Sequence, residues 1–207
     1  MSGVVAVIEA VVWDIGRVLV EFDLTGIYRE SIPDADERAR FVAEVVSEDW
    51  HAQHDEGVSF AEMVAARTAQ FPEHAARIAL YADNWLASLP GPVAGTHALI
   101  ERLAARGVPQ YSITNFGVDA WGLFRPTFPV LDHMQDIVVS GVERLIKPDP
   151  AIFDLAAARF GRAPETMLFI DDNAVNTATA RELGWHVHHF VRDADVLEAR
   201  LQALGLL

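Results

Sequence analysis

Residues 11–18 read Val11-Val12-Trp13-Asp14-Ile15-Gly16-Arg17-Val18. Three apolar residues of high strand propensity run into a single carboxylate, and a glycine follows two positions later. The pattern is a buried strand that ends in an exposed turn, with Asp14 at its carboxyl end. A carboxylate in that position is available as a nucleophile or as a ligand for a hard cation. Three later segments repeat the arrangement with other reactive groups: Ser112-Ile113-Thr114-Asn115, Arg144-Leu145-Ile146-Lys147-Pro148 and Phe169-Ile170-Asp171-Asp172-Asn173. Position 16 is Gly, so Asp14 has no second acid two residues on.

Working outward, β-rich runs at 10–13, 110–113, 137–139, 167–170 and 186–190 alternate with helical periodicity over Thr96–Arg106, Pro150–Phe160, Ala174–Leu183 and Ala194–Leu204. Gly107, Gly161 and Gly184 fall just after three of those helices, where a left-handed closing residue belongs. Strand–helix repetition with near-continuous apolar strands specifies an α/β fold, a doubly wound parallel sheet of Rossmann-like type covered on both faces. Residues 20–88 break the rhythm. They show no strand pattern but helical spacing over Ala35–Ser47, Ser59–Gln70 and Glu73–Ser88, and Ser59 with Glu62 forms a capping-box signal. The expected organisation is a core of 1–19 and 89–207 with a small inserted α-helical subdomain at 20–88, closed by Pro90-Gly91-Pro92.

The 207 residues suit one domain carrying an insertion, and 51% hydrophobic content supports a full core. A net charge of -14 repels nucleic acid and anionic membrane surfaces, and no stretch is long and apolar enough to span a bilayer. The absence of cysteine removes disulfides, thiolate chemistry and Cys-ligated zinc. With neither a cationic leader region nor a small-residue cleavage site at the N-terminus, the expected location is cytoplasmic. Nothing in the sequence specifies an oligomeric state.

In an open parallel α/β sheet, ligands bind beyond the carboxyl ends of the strands. Asp14, Thr114 with Asn115, and Asp171 with Asp172 each occupy such an end, and Lys147 lies on the loop after the 137–139 strand. The ordered set Asp-x-Gly-x-Val (14–18), Thr-Asn (114–115), Lys-Pro-Asp-Pro (147–150) and Asp-Asp-Asn-x-x-Asn (171–176) resembles the haloacid dehalogenase superfamily, in particular its phosphatase-like members. The resemblance covers nearly the whole chain, with 20–88 in the place of that family's helical cap.

The resemblance implies that Asp14 attacks phosphorus and forms an aspartyl-phosphate, splitting one difficult hydrolysis into two steps. Two anions must meet for this, so Lys147, Thr114 and the N–H groups of Ile15, Gly16 and Asn115 would serve the phosphoryl oxygens. The implied cofactor is Mg²⁺, held by Asp14, the carbonyl of Gly16 and Asp172, with Asp171 acting through water and Asn176 orienting the acidic pair. Adjacent acids in a low-dielectric crevice repel unless a cation lies between them, which makes Asp171-Asp172 the strongest argument for metal.

Two positions depart from the family pattern. Many of its phosphatases carry a general acid/base Asp at position 16; Gly keeps the backbone carbonyl but removes help worth about 10²–10⁴-fold. Position 17, usually Gly, is Arg, read here as a solvent-facing loop charge, the alternatives being a restriction of the turn or a cation at the pocket mouth. Glu21 and Asp23 read as hinge residues, and either is a candidate for the missing acid. His51 and His54, followed by Asp55 and Glu56, read as a solvated helix end, the alternative being a cap-borne acid or base. Trp50, Trp85 and Phe60 are expected to pack the cap, and Phe116 or Trp121 is a candidate for the pocket wall. His186 and His188 share one strand face with His189 opposite, a surface pattern rather than a metal site.

The leading functional expectation is therefore a Mg²⁺-dependent phosphomonoesterase acting on a small phosphate ester such as a sugar phosphate. A 2-haloacid dehalogenase, using Asp14 on carbon, suits Gly16 but leaves Asp171-Asp172 unexplained. A phosphate-ester-binding protein on a retired enzyme scaffold is the third reading.

Overall fold

The computed structural model describes residues 7–207; residues 1–6 of the expected core segment lie outside the described residues. Five parallel strands, β1 (Ala10–Trp13), β2 (Gln110–Thr114), β3 (Asp136–Val139), β4 (Met167–Asp171) and β5 (His186–His189), form one sheet in the order β3-β2-β1-β4-β5. The helices in chain order are α1 (Ala35–Glu44), α2 (Glu48–Asp55), α3 (Phe60–Gln70), α4 (Ala75–Asp83) and α5 (Thr96–Ala105). They continue with α6 (Val118–Phe124), α7 (Ser140–Glu143), α8 (Pro150–Phe160), α9 (Ala174–Glu182) and α10 (Ala194–Ala203). None of the described helices is long and apolar enough to cross a membrane.

Period-two alternation in β1 explains the double winding. Val11 and Trp13 face a core completed by Leu99, Ile100 and Leu103 of α5 and by Leu197 and Leu201 of α10. Ala10 and Val12 face the opposite core, with Ile152 and Phe153 of α8 and Ala180 of α9. All four β1 residues are fully buried, so β1 is the central strand expected of its apolar run. The α/β doubly wound architecture is thus observed. Gly107, Gly161 and Gly184 close α5, α8 and α9 with φ of 72°, 63° and 90°.

Register sets the site. Trp13 pairs with Ser112 on one side and Ile170 on the other, and the Asp14 N–H donates to the Ile170 carbonyl at 2.8 Å. The chain order reverses between β2 and β4 on either side of β1, the crevice where such sheets bind ligands. Thr114 and Asp171 are the last residues of β2 and β4, so each of these strands runs one residue further than its apolar pattern suggested.

Between β1 and α5 the described chain is helical, but its division differs from the sequence expectation. The helix expected over Ala35–Ser47 stops at Glu44, because Ser47 instead caps α2, accepting the Trp50 N–H at 3.2 Å. The helix expected over Glu73–Ser88 breaks into a 3₁₀ turn at Pro72–His74, α4, and a second 3₁₀ turn at Trp85–Ser88. The break falls at Asn84, whose φ of -119° and ψ of 22° lie outside the helical region. At α3 the capping box forms as expected, with Ser59 and Glu62 each satisfying the other's backbone.

The helical segment is locked to the sheet domain through α2 and α3. The Phe60 N–H at the start of α3 donates to Asp119 of α6 at 2.7 Å. His54 is buried and stacks on Phe60 at 4.1 Å; its Nδ1 meets the Val58 carbonyl at 2.7 Å, and its Nε2 accepts the Ala120 N–H at 3.2 Å. That bonding fixes the neutral Nδ1–H tautomer, and burial holds the imidazole below its ordinary pKa. The expectation of a solvated helix end is therefore overturned for His51 and His54, although Glu56 is exposed: α6 covers His54, and the His51 side chain is only 12% exposed. Gly117 permits the approach, since a Cβ there would fall inside the His54 ring. Gly117→Ala should lower stability by about 1–3 kcal/mol, the cost of overpacking a tight contact; denaturant melts of the two proteins test it.

Candidate active site

At the carboxyl end of the sheet lies a cavity of about 320 Å³, lined by Asp14, Gly16, Arg17, Asn115, Lys147, Asp172 and Asn176 from the sheet domain. Val20, Phe22, Glu48, Asp49, His51, Ala52, Asp55, Trp85 and Leu89 line it from the helical side, and Phe116 and Asn173 complete it. Four strand ends therefore deliver their polar residues to one place. Thr114 lies just beneath, fully buried with its hydroxyl unpartnered, and Ile15 is fully buried beside Asp14.

Lys147 is the centre of the arrangement. Its ammonium is 1% exposed and lies 2.8 Å from Asp14 Oδ1 and 2.7 Å from Asp171 Oδ2. Burial acts to lower its pKa, but the two carboxylates outweigh this and hold it above the ordinary lysine value. Asn115 positions the lysine backbone from both sides: the Lys147 N–H donates to Asn115 Oδ1 at 2.9 Å, and Asn115 Nδ2 donates to the Lys147 carbonyl at 3.0 Å. This side-chain role was missed by sequence reasoning, which used only the Asn115 N–H; a pair 32 residues apart leaves no local signal.

Asp171 is fully buried and saturated with donors. Beyond Lys147 it accepts the Asn173 N–H at 2.7 Å and two bonds of 3.1 Å from Asn176 Nδ2. Asp172 points into the cavity instead, and its backbone carbonyl meets His189 Nε2 at 2.9 Å, which ties β5 to the loop. Oxygens of Asp14, Asp171 and Asp172 lie within 4.8 Å of one another. Burial, aided by Asp171 and Asp172, pushes the Asp14 carboxyl up to about 7 despite Lys147. Burial and Asp171 also raise Asp172, against Arg17 and Lys147. Among the cavity residues, Asp14, Glu48, Asp49, Asp55 and Asp172 face only Arg17 and Lys147, so a further cation would be held strongly. The all-oxygen donor set fits a hard divalent ion.

Arg17 is not a free surface charge. Its guanidinium is 2.6 Å from Glu48 of α2 and 5.3 Å from the Phe22 ring centroid, at the cavity mouth. The φ of 57° at Arg17 explains why glycine suits this turn; the arginine holds a left-handed backbone. Neither acid considered as a substitute at the hinge reaches the cavity: Glu21 pairs with Arg192, and Asp23 caps the turn Leu24–Tyr28 by accepting the Thr25 N–H at 2.9 Å. Of the aromatics, Trp85 and Phe116 form cavity wall, and Trp121 packs behind Phe116 at 5.5 Å.

The family model for haloacid dehalogenase-like hydrolases matches residues 8–184. The chain belongs to that family of hydrolases. Over 90 residues it is 37% identical to mouse acyl-CoA dehydrogenase family member 10, covering 42% of this chain but only 8% of the mouse protein's length. Among solved structures it resembles a haloacid dehalogenase-family enzyme from Bacteroides thetaiotaomicron at a TM-score of 0.71 and 21% identity, covering 93% of this chain and 98% of the other. That enzyme has also been crystallised with magnesium and inorganic phosphate. An L-2-haloacid dehalogenase from Xanthobacter autotrophicus matches at a TM-score of 0.63 and 18% identity, over 96% of this chain and 83% of the other.

Proposed function

We propose that the protein is a Mg²⁺-dependent phosphomonoesterase for a small phosphorylated metabolite, with 20–88 as a cap over the 1–19 and 89–207 core. The observation that supports it best is the cluster of three carboxylates, two of them paired with one buried lysine, at a cavity too acidic to receive a phosphate dianion unaided. Asp14, the Gly16 carbonyl and Asp172 would hold the ion; the water-mediated role expected of Asp171 gives way to holding Lys147, since both its oxygens are buried and already bonded to Lys147, Asn173 and Asn176. Bound there the ion would supply the positive charge that lets two anions meet.

The residues carry the rest. Asp14, at the strand end, attacks phosphorus in line with the departing oxygen. Lys147 neutralises charge on the phosphoryl oxygens, while Asn115 keeps its loop in place. The unpartnered Thr114 hydroxyl and the N–H groups of Ile15, Gly16 and Asn115 are donors for the same oxygens. Asn176 and the Asn173 N–H fix Asp171, so the acidic pair keeps one geometry. A cavity of about 320 Å³ suits a substrate of sugar-phosphate size.

Gly16 gives the dehalogenase reading its one supporting observation, since halide leaves without a proton. The assays separate the two. Purified protein should release phosphate from p-nitrophenyl phosphate with Mg²⁺ and fall to background with chelator. Chloride release from 2-chloropropionate, indifferent to chelator and without phosphatase activity, would reverse the assignment.

A further inference from the structure

With Gly16 in place of an acid, a phosphatase of this design needs another group to protonate the leaving oxygen. Among the cavity acids, Glu48 is 62% exposed and paired with Arg17, and Asp49 is exposed. Asp55 differs. It is the last residue of α2, its side chain is 15% exposed, and it lines the same cavity as Asp14, Lys147 and Asp172.

The structure around Asp55 holds it in place. The Ser140 hydroxyl donates to the Asp55 carbonyl at 2.6 Å while accepting the Phe116 N–H at 2.9 Å, joining α2 to the β2 and β3 loops. The neighbouring His54 is clamped between Val58 and Ala120. On the carboxyl side, His51 Nε2 lies 3.9 Å from Asp55 Oδ2, and His51 Nδ1 meets the Tyr81 hydroxyl at 2.5 Å. With Tyr81 donating, Nδ1 is the acceptor and Nε2 carries the hydrogen that faces Asp55.

We propose that Asp55 is the acid/base residue of this site, presented to the reacting phosphate from α2. The assignment rests on the phosphatase reading. As the Asp14–phosphorus bond forms and the bond from phosphorus to the leaving oxygen breaks, the Asp55 carboxylic acid gives its proton to that oxygen, and an alcohol departs. The resulting Asp55 carboxylate takes a proton from water as the water oxygen bonds to phosphorus. The Asp14–phosphorus bond then breaks, releasing inorganic phosphate and restoring both residues. Burial supports the role by pushing Asp55 up to about 7, with Glu56 adding and the Gly117 N–H and Lys147 opposing. Burial, with His54 and Arg17 adding, holds His51 down to about 3, so beside Asp55 it stays neutral.

The test compares kcat/KM for phosphate monoesters whose leaving groups run from p-nitrophenol to simple alcohols, in wild type and Asp55→Asn with Mg²⁺. An alkoxide needs a proton to leave and nitrophenolate does not. The alkyl-to-aryl ratio of kcat/KM should therefore fall by about 10²–10⁴-fold in Asp55→Asn. A ratio equal to wild type, whether both activities persist or both fall together, overturns the proposal. Wild type alone gives a second reading: its kcat/KM should depend only weakly on leaving-group pKa, and a steep dependence overturns the assignment without any variant. If wild type hydrolyses no phosphate ester at all, the phosphatase reading fails instead.

Discussion

Asp14→Asn should lose turnover on the order of 10⁴–10⁶-fold, the scale expected when a covalent nucleophile is removed. An amide oxygen is a poor nucleophile and a weak ligand for a hard cation, so attack and metal holding fail together. The same variant should fold at least as stably as wild type when no divalent ion is present. Burial raises the Asp14 carboxyl to about 7, well above its ordinary 3.8, so ionising it costs the folded state. The sign follows from linkage: the stability deficit grows as pH rises from about 4 to about 7, and an amide of the same shape avoids it. Thermal melts at pH 8 in chelator, beside phosphate-release assays, separate the two effects. Loss of activity together with loss of fold would contradict this account of Asp14.

Lys147→Met should be the most destabilising substitution in the site. The ammonium is buried between Asp14 and Asp171, and removing it leaves two carboxylates facing each other out of water. Breaking a buried pair by deleting one partner costs about 3–5 kcal/mol. Asp171 keeps its Asn173 and Asn176 donors, whereas Asp14 loses its charged partner, so protonation of Asp14 is the natural relief. The variant's deficit should therefore shrink as pH falls, because a protonated carboxyl needs no counter-cation and the folded state then binds more protons than the unfolded one. Denaturant melts of wild type and variant at pH 8 and pH 5.5 measure this. Activity should fall to background at every pH. A deficit that grows towards acid would mean that Lys147 does not serve as counter-cation to this pair.

Much of this was readable from sequence because the sheet is its own signal. Val11-Val12-Trp13 and Leu168-Phe169-Ile170 are apolar on both faces, as a doubly covered parallel strand requires, and their ends carry the acids. Once β1 sits between β2 and β4, Asp14, Thr114 and Asp171 follow from register. The helical segment was less legible. In α2 the sequence Glu-Asp-Trp-His-Ala-Gln-His-Asp is mostly polar, and burial of Trp50 and His54 depends on partners far along the chain. Their spacing of four residues was the one local clue that this was a packed helix rather than a solvated end. The Asp55 environment was hidden for the same reason, since Tyr81, Gly117 and Ser140 all come from distant elements. Arg17 was misread because its partner Glu48 lies across the cavity mouth.

The most direct test of the central claim, a covalent phosphoryl group on Asp14, is the mass of protein quenched during turnover of a phosphate monoester with Mg²⁺. The protein should gain one phosphoryl group, located on the peptide containing Asp14 and absent from Asp14→Asn. Phosphate release with no such adduct in wild type, or an adduct on another residue, would contradict the account.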